Sequence, residues 1–171
     1  MKTLLVSLLV LAAILLAVAA YMGSFRSIDI SERDEGPFTL VYRDMAAGDM
    51  SKVGEITTAL NAELESQGFV NRKPLDIFYP DGRGEIGFAL EGAAPDRLVA
   101  LGRNSGLREV PAQRCMVTEF PWRNRMSFLV GYFKVDPALA RYREQHEYKK
   151  VEAMVLNDGN AIVYMQPIVR Q

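Results

Sequence analysis

The order of the predicted secondary-structure elements is the strongest constraint on this chain, because the order strand, helix, strand, strand occurs twice. In the first half, residues of high strand propensity follow a Gly-Pro pair and predict a strand over 38–44. Apolar residues at spacings of three and four then predict a helix over 51–67. Strands are predicted over 75–79 and 84–90, and a further short strand over 97–101.

The second half repeats this order with longer elements. Its predicted elements are a strand over 106–120 bent at Pro111, helices over 125–134 and 136–148, and strands over 151–156 and 161–169. A shift of 76 positions places Ser51 on Ser127 and Val41 on Val117. A chance likeness between two segments of similar content would give the same pattern. The pattern predicts an α+β fold, an antiparallel sheet with two helices built as a tandem repeat.

The N-terminal segment is the most apolar part of the chain. Residues 3–23 contain Ser7 as the one polar interruption after Thr3, and a membrane-spanning helix needs about 20 such residues. We therefore predict a transmembrane anchor over 1–23 and a polar stalk over 24–35. The alternative is a signal peptide cleaved near residues 17–19, although this apolar run exceeds the usual core of such peptides.

The rest of the chain, 36–171, is predicted to form the folded domain. The positive charge of Lys2 favours an N-terminus in the cytoplasm. The domain is accordingly predicted on the extracytoplasmic side of a single-pass membrane protein.

Composition excludes several function classes. Lys and Arg total 20 against 21 Asp and Glu, giving a net charge of -1, whereas nucleic-acid binders usually carry a basic excess. One cysteine, Cys115, and one histidine, His146, allow neither a disulfide nor a thiolate zinc cluster. No glycine-rich phosphate loop or nucleophile elbow is present. We expect no metal, no cofactor and no nucleic-acid partner.

Glu152 is the residue that most suggests a binding site or chemistry. It lies within the apolar segment 151–156, where alternation places it on the same strand face as Met154. Such a carboxylate is either exposed at an edge or faces a cavity. In a cavity it would attract an organic cation or act as a general acid or base.

Aromatic residues supply the remaining candidates for a ligand-binding surface. Tyr42 and Tyr79 lie on or beside predicted strands, and Phe120 and Trp122 flank Pro121 at a strand-to-helix junction. Such a junction often rims a cleft, although a lone tryptophan beside proline is more often simple packing. Together with Glu152, these four residues form the predicted ligand site.

Six short motifs, in their order along the chain, resemble those of one family. The motifs are Gly36-Pro37-Phe38, Asp76-Ile77-Phe78-Tyr79-Pro80-Asp81, Val110-Pro111-Ala112, Phe120-Pro121-Trp122, Lys134-Val135-Asp136-Pro137-Ala138-Leu139 and Val151-Glu152-Ala153-Met154-Val155-Leu156-Asn157-Asp158. Over residues 36–169 they resemble the gyrase-inhibitor-like (GyrI-like) small-molecule-binding domain. The resemblance implies a tandem strand-helix-strand-strand fold.

The resemblance also implies a cleft between the halves, lined by aromatic residues and floored by a glutamate. By position that glutamate is Glu152, and Asp76 is its mate in the first half. The function implied is a membrane-anchored module that binds amphipathic, cationic small molecules. One alternative is a cofactor-independent hydrolase with Glu152 as base and Tyr79 as acid. The other is a protein-interaction domain at a membrane surface, with a protein partner.

Overall fold

The computed structural model describes residues 2–91, 105–124 and 126–170. In this part of the chain three α-helices and eight strands form, and the strand predicted over 97–101 lies outside the described residues. The helices are α1 (Lys2–Tyr21), α2 (Val53–Ser66) and α3 (Met126–Gln145). The strands are β1 (Ser31–Glu35), β2 (Phe38–Met45), β3 (Arg72–Phe78), β4 (Gly84–Leu90), β5 (Gly106–Val110), β6 (Gln113–Pro121), β7 (Ala153–Asn157) and β8 (Ala161–Pro167).

All eight strands join one antiparallel sheet that curls into a half-barrel. Its order is β1-β6-β8-β7-β3-β4-β2-β5. Strands β2, β3 and β4 of the first half therefore lie together, as do β6, β7 and β8 of the second half, and β3 pairs with β7 where the two groups meet. The α+β class and the antiparallel sheet are therefore confirmed. Ser127 begins the first turn of α3, whereas Ser51 lies in a short 3-10 turn before α2.

The two outer strands are exchanged between the halves. β1 precedes β2 in the chain but pairs with β6, and β5 precedes β6 but pairs with β2. The prediction of one bent strand over 106–120 was wrong for this reason. Pro111 has no N–H to donate to a sheet, and the chain around it leaves one edge and crosses to the opposite half.

The two faces of the sheet have different coverings. On one face, which we call the helix face, α2 packs Leu60 and Leu64 on β2 and β4, and α3 packs Val135 and Leu139 on β6 and β8. The other face, which we call the opposite face, carries a separate apolar cluster with members on every strand from β2 to β8. Its buried members are Leu40, Leu75, Ile77, Ala89, Val110, Cys115, Val117, Met154, Val163 and Met165.

The second half contains one long helix where two were predicted. α3 continues through Pro137 from Met126 to Gln145, although proline cannot donate the hydrogen bond of that turn. Ser127, Gly131, Val135 and Leu139 are buried at intervals of four residues. This unbroken buried stripe crosses the proline, so packing on the sheet keeps the two segments in one helix.

The predicted membrane anchor is not supported by the structure. Within the described part of the chain, no helix is both long and apolar enough to cross a membrane. The transmembrane anchor over 1–23 and the extracytoplasmic, single-pass placement were therefore wrong.

The segment expected to be a polar stalk is attached to the domain. Its residues Ser31–Glu35 form β1 on the edge of the sheet. Just before it, Met22 is buried, and the Lys134 ammonium group of α3 donates to the backbone carbonyls of Gly23, Ser24 and Arg26. The C-terminal end of α1 is thus held against α3.

Gly131 provides a test of how closely α3 approaches the sheet. A Cβ at this position would lie 2.3 Å from the hydroxyl oxygen of Tyr164, which is buried and has no hydrogen-bond partner among the residues that the structure describes. Gly131→Ala should therefore lower the free energy of unfolding by about 1–3 kcal/mol through overpacking. Tyr164→Phe removes the crowded oxygen and should restore most of this loss in the double variant. Urea unfolding of all four proteins measures the coupling.

Gly54 in α2 is the matched control, because a Cβ there meets no atom within 4 Å. Gly54→Ala should stabilise the protein by about 0.5–1 kcal/mol, as expected in an uncrowded helix. Stabilisation of similar size by Gly131→Ala would show that the contact between α3 and β8 is looser than described.

Candidate functional site

A buried acid lies on the opposite face of the sheet. Glu85 of β4 shares this face with Ala89, and only 8% of the residue is exposed. The Tyr79 hydroxyl donates to Glu85 Oε1 at 2.6 Å. The Arg108 Nε lies 2.9 Å from Glu85 Oε2 in an ion pair. The carboxylate is therefore held from two sides, by a phenol after β3 and by a guanidinium on β5.

Tyr79 is held in its protonated form by these surroundings. Burial raises the pKa of Tyr79 to about 12, and the hydrogen bond that it donates to Glu85 acts in the same direction. At neutral pH its hydroxyl is consequently a hydrogen-bond donor. The ring also meets a cation, because Arg83 Cζ lies 5.6 Å from its centroid, within the range of a cation–π contact.

Tyr42 extends the aromatic surface towards the sheet edge. Gly106 on β5 is its cross-strand partner, and a Cβ there would lie 2.3 Å from Tyr42 Cζ. The ring therefore lies flat across the glycine, a position that any side chain at 106 would block. Burial raises the pKa of Tyr42, and the charge of Glu85 raises it further. Tyr42 pairs with Gly87 of β4, which is two residues from Glu85 and on the same face of the sheet.

Glu152 is on the same face, just before β7. It is partly buried, and its spacing from Met154 places it with the apolar cluster of the opposite face. Its charge raises the pKa of Tyr79, after the larger effects of burial and Glu85. It also contributes to the raised pKa of Cys115, which burial brings to about 12. Within the described residues Glu152 forms no ion pair with a lysine or arginine side chain.

The structure separates the remaining predicted residues from this group. Phe120 is fully buried on the helix face, where it packs with α3. Trp122 is on the same side and makes an edge contact with Phe128 at a centroid distance of 5.1 Å. Tyr42, Tyr79 and Glu152 are therefore brought together, whereas Phe120 and Trp122 are not part of their surface.

Asp76 is also separated from its expected mate. It alternates with Leu75 and Ile77, so it faces the helix side of the sheet, and its cross-strand partner is Val155. Its carboxylate accepts a hydrogen bond from the Gly87 backbone N–H at 3.2 Å. The helix face thus carries Asp76, and Glu152 belongs to the opposite face.

A concavity of about 270 Å³ lies at the β1–β6 edge, away from the cluster around Glu85. Its charged lining includes Arg33 and Glu119, which pair at 2.9 Å. Arg33 also contacts Glu35 at 2.5 Å, and about half of the Arg33 side chain is exposed. These groups already neutralise one another in contact with solvent, so this pocket is a weaker candidate than the cluster around Glu85.

The described residues contain no candidate metal-binding cluster. No group of three or more His, Cys, Asp or Glu side chains in ranges 2–91, 105–124 and 126–170 could hold a metal ion.

Glu85 and Arg108 were missed by sequence reasoning. The signal for Glu85 was present, because it is the one charged residue among the seven of Gly84–Leu90. This was the same observation that led to Glu152. Arg108 could not be found in this way, because its role depends on β5 pairing with β2 across from β4.

Comparison with known proteins identifies the fold. No family model and no curated protein matches the chain. Among solved structures, the EcmrR C-terminal domain aligns with a TM-score of 0.61 and 10% identity, over 84% of this chain and 99% of that one. SAV2435 bound to tetraphenylphosphonium aligns with a TM-score of 0.61 and 14% identity, over 82% and 94%.

A hydrolase from Listeria innocua aligns with a TM-score of 0.56 and 9% identity, over 88% of this chain and 98% of that one. Identities this low establish a shared fold and nothing about ligands. The fold is consistent with the GyrI-like small-molecule-binding fold that the sequence motifs resemble.

Proposed function

We propose that this protein binds small organic molecules, cations among them, at the cluster of Tyr42, Tyr79, Glu85 and Glu152 on the opposite face of the sheet. The observation that carries the proposal is Glu85, a carboxylate that is almost fully buried and held between a phenol and a guanidinium. Buried acids beside aromatic rings suit organic cations, which interact with both charge and ring faces.

The resemblance of the fold to SAV2435 adds support, because that protein is described in complex with tetraphenylphosphonium. Tyr79 already has one guanidinium near its ring and a carboxylate on its hydroxyl. The surface therefore offers the two contacts that a lipophilic cation uses. The function proposed is recognition of such molecules.

Tyr42 gives the test. In the full chain, Tyr42→Leu keeps apolar bulk but removes the ring, and we expect about tenfold weaker binding of tetraphenylphosphonium because a partly buried cation–π contact is lost. Isothermal titration calorimetry measures the affinity, with neutral triphenylphosphine oxide as the comparison ligand.

The matched control is Tyr132→Leu, because Tyr132 is exposed on α3 and more than half of the residue contacts solvent. Its affinity should equal that of the parent. Equal affinities for the Tyr42 and Tyr132 variants would show that Tyr42 is not part of the binding site. A parent protein that binds neither compound would contradict the proposed function and favour a protein-interaction role.

Hydrolysis of a reactive small molecule is the second candidate. The observation in its favour is Tyr79, a phenol that stays protonated at neutral pH and lies next to a carboxylate, so a proton donor and an acid residue are adjacent. With Glu152 as base and Tyr79 as acid, turnover would have to disappear in both Glu152→Gln and Tyr79→Phe. If the parent protein binds the small molecule but does not hydrolyse it, recognition remains the proposed function.

A further inference from the structure

Two arginine side chains of the protein occupy the positions in the proposed site where a cationic ligand would bind. Arg108 Nε lies 2.9 Å from Glu85 Oε2, and Arg83 Cζ lies 5.6 Å from the Tyr79 ring centroid. A lipophilic cation would use the same carboxylate and the same ring. Ligand and arginine therefore compete for the same groups.

The two partners of the ion pair differ in their access to solvent. The side chain of Glu85 is 10% exposed, whereas that of Arg108 is 38% exposed. Arg108 also belongs to β5, an outermost strand of the sheet. The guanidinium can leave the pair and become hydrated, while the carboxylate remains buried and needs a positive partner.

The hydrogen-bond geometry of the ion pair also indicates that Arg108 is the partner that can be displaced. Glu85 Oε2 and Arg108 Nε are both buried and lie 2.9 Å apart, yet within the described part of the chain neither forms a hydrogen bond of normal geometry. Tyr79 in contrast donates a hydrogen bond of 2.6 Å to Oε1. The tyrosine therefore fixes the carboxylate, and the arginine neutralises it without a directional bond.

We propose that Arg108 is an internal counter-ion that organic cations displace from Glu85, so that the pair lowers affinity for cations and leaves affinity for neutral molecules unchanged. This inference rests on the proposed small-molecule site and adds its regulation. A ligand with too little charge or aromatic surface to replace the guanidinium would leave the pair intact. Cations that interact too weakly to displace Arg108 from Glu85 therefore do not bind at this site.

The experiment measures binding to the full chain by isothermal titration calorimetry. Arg108→Met removes the charge but keeps an unbranched apolar stem, and should tighten binding of tetraphenylphosphonium about ten- to hundredfold, within the range of coupling between two close charges. Triphenylphosphine oxide should bind both proteins equally. Arg108→Lys retains a cation and should resemble the parent, while Glu85→Gln added to Arg108→Met should abolish the gain.

Arg114→Met is the matched control, because Arg114 is an exposed arginine that contacts only Asp34 at 3.9 Å among ion pairs of the described residues. It changes net charge by the same amount and should leave affinity unaltered. Unchanged cation affinity in Arg108→Met, or an equal gain in Arg114→Met, would overturn the inference while leaving binding intact. Absence of binding by the parent and every variant would instead overturn the proposed function itself, and this inference with it.

Discussion

Replacing Asp76 by asparagine is expected to stabilise the protein increasingly as pH rises from about 4 to about 7. Burial raises the pKa of Asp76 to about 7 from an ordinary value of 3.8, and the hydrogen bond from the Gly87 N–H acts weakly in the other direction. The folded state therefore holds a proton that the unfolded chain loses near pH 4. Stability from this group is complete below the unfolded pKa and is lost as pH rises through the folded value.

The size of this effect follows from the interval between the two pKa values. About three units at ~1.36 kcal/mol each give an upper limit of about 4 kcal/mol. Because Asp76 is partly exposed to solvent, we expect about half of that. The measurement is the difference in free energy of unfolding between Asp76→Asn and the parent, taken from urea titrations at pH 4, 5.5, 7 and 8.

Asp158 is a control of opposite sign. Its Oδ1 accepts hydrogen bonds from the backbone N–H groups of Asn160 and Ala161 at 2.8 and 2.7 Å, and these lower its pKa. Asp158→Asn should therefore be destabilising at neutral pH, with a loss that shrinks on acidification. A flat difference for Asp76→Asn across the same pH range would mean that its carboxyl is solvated in the folded protein.

Phe120→Ala is expected to lower the free energy of unfolding by about 3–5 kcal/mol. The ring is fully buried and belongs to the apolar cluster beneath α3, where truncation removes transfer energy and leaves a cavity. It also supports the start of the domain, since Phe120 Cζ lies 3.2 Å from the Cβ position of Gly23. Urea unfolding followed by circular dichroism measures the loss.

Phe133→Ala is the matched substitution on the exposed side of α3, where 68% of Phe133 contacts solvent. It should change stability by less than about 0.5 kcal/mol. The pair also separates stability from recognition. If Phe120 contributed to a ligand site, the folded fraction of Phe120→Ala would bind tetraphenylphosphonium more weakly. We expect unchanged affinity, because its ring is on the helix face.

Much of the fold follows from local patterns in the sequence. The alternating segment before Asn157–Asn160 and the helix ending before Gly68 form where expected, because turn residues and apolar periodicity act over a few neighbours. Gly68 adopts the positive φ of +76° that such a helix end favours. The single helix through Pro137 was missed, since only packing against β6 and β8 reveals it.

The candidate site was less predictable than the fold. Alternation alone placed Glu152 on one strand face, but the face on which Phe120 and Trp122 lie depends on the register of β6 against β8. Arg108 reaches Glu85 because an edge strand from the second half joins the first. Contacts between residues distant in sequence decide such a site, and a single sequence does not carry them.

Because the outer strands are exchanged, the N-terminal and C-terminal strands of the protein should resist a pulling force differently. β1 has a single neighbour, so tension applied through the residues before it would act first on the contacts of Lys134 with Gly23, Ser24 and Arg26 and then on one ladder alone, that with β6. β8 lies between β6 and β7, so tension applied beyond Pro167 loads two ladders at once. The N-terminal side should therefore yield at lower force than the C-terminal side.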